Sequence, residues 1–225
     1  DPTLNPDGRD RHSQWANQYK SINLVADSND AEHNESWPRG RTNHYWFDLN
    51  RDWLLAIHPE SRGKLNWLHE WYPNVVLDVH EMGTNSNYFF DPMKSSASVK
   101  PLIPQENVDL YPIFAEYYVK YMDSIGSFYY TKESFDETYP GYGSTYSDLQ
   151  GGLALLFEQA SSRGHVQETN YGEMTFGFTI RNQFLNGIAT VEAAVDNKIL
   201  LRDYQKRFFE SCLLYTSDAA DERNS

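Results

Sequence analysis

The chain is short of three things, and each shortage removes a class of function. It has a single cysteine, Cys212, in 225 residues, which excludes a disulfide framework and a multi-thiolate metal site. Its 19 basic residues face 32 acidic ones, for a formal charge of −13; non-specific nucleic-acid binding needs a basic face and is excluded with it. No apolar run approaches the roughly 18 residues of a membrane-spanning helix. What the chain does have is 40 % hydrophobic and 15 % aromatic content, with 16 tyrosines and 6 tryptophans. That is enough for a single folded core, and for amphipathic clefts of the kind that take peptides or sugars.

Both ends read as cut. The sequence opens at Asp1 without an initiator methionine, which suggests a fragment. Cys212-Leu-Leu-Tyr-Thr-Ser-Asp-Ala-Ala-Asp-Glu222 back-translates to a transposase adapter used in sequencing libraries. Residues 212–225 are therefore expected to be a non-native tail, set apart from a single domain over 1–211. On that reading the native part has no thiol.

The stretch Asn74-Val-Val-Leu-Asp-Val-His-Glu-Met-Gly83 organises the rest. An apolar, β-branched run closed by glycine predicts a buried strand. Side chains two apart share a face, so Asp78 and His80 should point together. Pro59-Glu60 predicts a helix running to about Pro73 and feeding this strand, an order that suits an α/β fold. Asn87–Phe90 and Phe128–Tyr130 predict short strands, and 106–123 a helix with Leu110, Phe114, Tyr117 and Tyr121 on one stripe. Leu153–Phe157 predicts a second buried strand, ending in Glu158. Tyr139–Tyr146 reads as a mobile loop, and 1–45 shows no sustained period, with Asn5-Pro-Asp-Gly8 as a turn. Phe176, Ile180, Phe184, Ile188, Val191 and Val195 recur at helical spacing, predicting a long helix that covers the sheet.

Two apolar strands thus deliver a histidine and a glutamate, with Asn50-Arg51 upstream and a tyrosine loop between. Imidazole is the commonest protein ligand for zinc. A carboxylate beside an activated water can accept its proton. An arginine fork grips a carboxylate bidentately. Together they suggest metal-assisted hydrolysis of a substrate with a free carboxylate. His80-Glu81 is not extended to HExxH, since Thr84 stands where the second histidine belongs.

Asn5-Pro-Asp-Gly8, Phe47-Asp-Leu-Asn-Arg51, Asp78-Val-His80 and Phe157-Glu158, in that order, resemble the landmarks of zinc metallocarboxypeptidases, in a divergent, bacterial-type branch. The resemblance implies a mixed, mostly parallel twisted sheet with helices on both faces. It implies one Zn2+ ion with His80 as its third ligand, and Glu158 as general base. Tyr139, with Tyr142 as its competitor, would be the phenol that closes over substrate. Asn50 and Arg51 would clamp the C-terminal carboxylate of a peptide. The arginine that steadies the oxyanion would be sought among Arg11 and Lys20, with Arg39 and Arg41 also open. A secreted or periplasmic setting is implied in the same way.

One part of that pattern is missing. The family's HxxE, which supplies two zinc ligands, belongs ahead of NPDG, and only four residues precede Asn5. A catalytic zinc takes three protein ligands, so this stretch alone is expected to bind zinc weakly, to be inactive, and to expose a sheet edge. Two alternatives share the scaffold: an N-acyl amino acid deacylase, and a non-catalytic relative that binds peptide or glycan. Asp148 could select a basic substrate side chain or simply serve the fold.

Overall fold

The computed structural model describes residues 3–94, 102–135 and 138–221. Its first helix, α1 (Pro6–Tyr19), starts where the sequence suggests only a turn. The Asn5 side chain accepts from the Gly8 amide at 2.9 Å, and Pro6 sits at the first helical position, where its missing N–H costs nothing. The helix is polar and buries only Gly8, which is why no apolar period announced it. A Cβ at Gly8 would stand 2.3 Å from the Gly40 carbonyl oxygen, so this glycine lets α1 lie against the loop carrying Arg41.

After a 3-10 turn at Leu49–Arg51, α2 (Pro59–Trp71) leads into β1 (Val75–Met82), as the sequence predicts. Further on come β2 (Tyr88–Phe90), α3 (Gln105–Val108), α4 (Tyr111–Ser124), α5 (Gly143–Tyr146) and β3 (Leu153–Ala160). The hairpin β4 (Val166–Thr169) and β5 (Gly172–Thr175) precedes two long helices, α6 (Phe176–Asp196) and α7 (Lys198–Asp221). The helix α7 does not break at residue 212.

The main sheet has the order β1-β3-β2. β1 runs parallel to β3 over eight residue pairs, with His80 opposite Glu158, and β2 runs antiparallel to β3. The sheet is therefore mixed, with its longer pairing parallel. Helices α4, α6 and α7 close one face over Tyr88, Phe90, Leu155 and Phe157. On the other face Leu65 and Leu68 of α2 pack with Trp53, Tyr146 and Val76.

Four expectations need correction. β1 is half-buried rather than buried, because among the described residues it pairs with β3 alone. Phe128–Tyr130 forms no strand, only a single bridge from Tyr130 to Phe89. The segment 143–146 is a buried helical turn, not a loose loop. Last, α6 spans the predicted residues but turns the other way. Its apolar stripe is exposed, and the face on the sheet carries Asn182, Asn186, Ala189, Thr190 and Ala193. Two of those polar groups are served there: Asn182 donates to Gln159 at 2.9 Å and to Ser127 at 3.0 Å, and Thr190 meets the Tyr118 hydroxyl at 3.1 Å.

Candidate active site

Parallel pairing sets His80 and Glu158 side by side on neighbouring strands, on one face of the sheet. Asp78, two residues before His80, shares that face, and its Oδ1 lies 2.8 Å from His80 Nε2. The carboxylate thus lies within hydrogen-bond reach of the ring and fixes its orientation. Burial pulls the His80 pKa down, but the hydrogen bond and charge of Asp78, helped by Glu158, outweigh it and raise the value above the ordinary imidazole.

Glu158 is the partly open residue in an otherwise buried strand. Burial raises its pKa, against the pull of His80 and Arg41. Among the described residues, its Oε2 is buried without a hydrogen-bond partner. An orphaned carboxylate oxygen at a cavity wall is unusual in a folded chain and marks a group kept for chemistry or for a ligand.

Asn50 ties the site together. Its Nδ2 donates to Asp78 Oδ2 at 3.2 Å and lies 2.9 Å from His80 Nε2; its Oδ1 accepts from Trp53 Nε1 at 3.0 Å and from the Gly143 amide at 2.8 Å. A Cβ on Gly143 would meet Asp78 Oδ2 at 2.7 Å, so only glycine allows this approach. With its amide engaged at both ends, Asn50 positions the histidine–aspartate pair. That is a different task from the substrate clamp expected of it.

Arg51 is freer. Its guanidinium lies 4.2 Å from the centroid of the Tyr142 ring, with the side chain half exposed. Arg51, Arg41, His80, Tyr142 and Glu158 all line one cavity of about 370 Å3, with Ser144, Phe135 and Leu156 completing its wall. Of the two tyrosines, Tyr142 lines the cavity and Tyr139 does not; the Tyr139 hydroxyl donates to the Arg51 carbonyl at 3.3 Å.

The cationic candidates separate clearly. Arg11 is spent on the backbone, donating to the carbonyls of Arg39, Thr42 and Asn43. Lys20 lies on the end of α1, bonded to Asn17. Neither lines the cavity. Arg41 does, braced by Asp48 at 3.0 Å, and its charge acts on both His80 and Glu158. Asp148 is fully buried, accepting from Tyr111 and from the Ala154 amide, so it serves the fold and selects no side chain.

One neighbour escaped sequence reasoning. Lys64 is buried behind Asp78, its Nζ 3.5 Å from the centroid of the Trp53 ring. Burial lowers its pKa to about 8, against the attraction of Asp78 and Asp52. Its position on the apolar face of α2, beside Leu65 and Leu68, was the available signal.

The residues present do not fit a catalytic metal by themselves. Among the described residues no group of three His, Cys, Asp or Glu side chains could hold an ion, and such a site needs three protein ligands.

No protein-family model matches the sequence and no curated protein matches it. Solved structures do resemble the chain. A metallo-carboxypeptidase from Burkholderia cenocepacia superposes with a TM-score of 0.53 at 18 % identity, covering 70 % of this chain and 40 % of that one. A carboxypeptidase A candidate from Shewanella denitrificans gives a TM-score of 0.51 at 17 % identity, covering 73 % and 44 %. The chain spans less than half the length of either. Its sheet and helices thus share the fold of these metallo-carboxypeptidases.

Proposed function

We propose that this chain carries part of the active site of a zinc-dependent carboxypeptidase, which hydrolyses the C-terminal bond of a peptide. The observation that carries this reading is the meeting of Glu158, His80, Arg51 and Arg41 around one cavity, on a fold shared with metallo-carboxypeptidases. Arg51, stacked on Tyr142, binds the terminal carboxylate as a flat two-pronged donor. Arg41 faces the charge that gathers on the carbonyl oxygen under attack. Glu158, with a raised pKa and one oxygen unpartnered, takes a proton from the attacking water and returns it to the leaving amine. His80 is the one zinc ligand in this stretch, and the proposal assigns the others to residues outside the described ones. Zinc would supply the polarising charge.

The reading is tested by binding to the 225-residue chain. A peptide ending in a free carboxylate should bind at least about tenfold more tightly than the same peptide amidated, a loss of the size that follows removing one charged partner. Arg51→Ala should erase that preference. Equal binding of acid and amide by calorimetry would sink the carboxylate clamp. The same chain should retain little zinc after dialysis and show no hydrolysis; stoichiometric retention would overturn the assignment of the remaining ligands to other residues.

A further inference from the structure

Two neighbouring residues of α6 reach the sheet at the level of the site. Gln183 Nε2 donates to the main-chain carbonyl of His80 at 3.0 Å, and Asn182 Nδ2 donates to Gln159 Oε1 at 2.9 Å. Gln159 follows Glu158 on β3 and turns its side chain to the opposite face. One helix thus holds the His80 backbone and the residue after Glu158 from behind, while the two site side chains stand on the other face. A backbone carbonyl can only accept, so the Gln183 amide nitrogen must face His80. Its Oε1 is then left for the Tyr88 hydroxyl, which donates at 2.8 Å. Tyr88 belongs to β2 and is fully buried. Burial pushes its phenol well above the ordinary range, so the proton it donates stays in place. The chain Tyr88–Gln183–His80 therefore joins β2, α6 and β1, with the glutamine amide engaged at both ends.

These contacts account for the way α6 turns. An apolar face on the sheet would bury more hydrocarbon, but hydrophobic contact is non-directional, whereas a hydrogen bond specifies distance and angle. Further along the same face, Ala189 and Ala193 enter the apolar core; the two amides that grip the strands stand beside His80 and Glu158. On the opposite face Asn50 lies 2.9 Å from the His80 ring. Asn50 thus sets the ring, and Gln183 the backbone that carries it. We propose that Gln183 is a positioning residue for His80, holding the main chain of β1 so that the imidazole keeps its place beside Glu158. The role rests on the carboxypeptidase reading only in taking His80 and Glu158 as partners in the reaction. Gln183 acts through the strand, not on the ring.

The test is Gln183→Met in the 225-residue chain, a side chain of similar length that fills the space without the amide. NMR then reads the His80 ring signals and their through-space contact to the Asn50 side-chain amide. In Gln183→Met the ring signals should shift and the contact should be lost. Gln205→Met is the control. It removes an amide that accepts from Asn74, just before the start of β1, at 3.0 Å, and it should leave the His80 signals unchanged. Tyr88→Phe combined with Gln183→Met removes both polar partners, so neither is left unsatisfied. Its melting temperature should return towards the parent while His80 stays displaced, and it decides the matter should the single variant not fold. His80 signals that match the parent in Gln183→Met, that recover with stability in the double variant, or that move equally in Gln205→Met overturn the proposal. The acid-over-amide peptide preference is set by Arg51 and should persist in Gln183→Met. Its absence from the parent chain would strike the carboxypeptidase reading and leave the His80 result standing.

Discussion

β1 and β3 carry the two residues at the centre of the site, in opposite surroundings. β3 has a partner on each side and is buried throughout except at Glu158. Among the described residues, β1 has one partner and not a single buried residue. In sequence the two look alike, each an apolar run leading to a polar residue. The difference teaches that an apolar run specifies a strand, while its neighbours decide how dry the strand becomes. It also bears on the chemistry: burial in the dry strand raises the Glu158 pKa, and on the wetter strand the hydrogen bond and charge of Asp78 raise that of His80.

The sharpest way to break this comparison is to cut the same kind of group from each strand. Leu155 is fully buried between α4, α6 and the sheet, so Leu155→Ala should cost about 2–5 kcal/mol through lost transfer and the cavity left behind. Val79, half exposed on β1, should lose less than about 1 kcal/mol as Val79→Ala. Urea unfolding of the two variants measures both. Comparable losses would mean that β1 is as covered as β3.

The second probe uses pH. His80 has a raised folded pKa, so its share of stability is full below the ordinary imidazole value and is lost as pH climbs through the folded one. Glu158 is also raised, by burial. Its folded state holds the proton more firmly than the unfolded chain does, so stability again falls as pH rises from the ordinary carboxyl range. The two slopes add, and the chain should weaken from pH 4 towards neutrality more steeply than Glu158→Gln, which lacks the carboxyl's share. Asp78→Asn should lower the His80 titration midpoint in an NMR series, since burial then acts with less opposition. A midpoint that stays put would show that Asp78 is not what holds the ring.

How much of this was legible beforehand follows the same division. That His80, Glu158 and Arg51 line one cavity could be anticipated because each ends or follows a recognisable element, and strand alternation fixes direction. Arg41 could not be singled out. It stands in an aperiodic loop, and its place by the cavity depends on Asn5 donating to the Gly40 and Arg41 carbonyls and on Arg11 holding those of Arg39, Thr42 and Asn43. Such contacts across some thirty positions leave no periodic trace. Asn50 was seen but misjudged, because a side-chain amide looks the same in sequence whether it meets substrate or locks Asp78 to Gly143. α1 was lost for want of an apolar stripe.

α6 shows the limit most plainly, and it supplies the finest test. Its spacing revealed an apolar face and a polar one, and ordinary burial would put the apolar face on the sheet. The structure does the reverse, satisfying Asn182 and Thr190 against β3 and α4 while Phe184 and Val191 stand in the open. The two faces should therefore answer oppositely to a charge. Ala189→Glu, at a fully buried position, forces a carboxylate into a dry contact and should cost several kcal/mol or prevent folding. Phe184→Glu should leave the urea midpoint within about 0.5 kcal/mol of the parent, as for a surface substitution, and should raise solubility by breaking the stripe. A large loss at Phe184 would mean that the stripe is packed in solution, and that the long helix covers the core with the face its spacing first suggested.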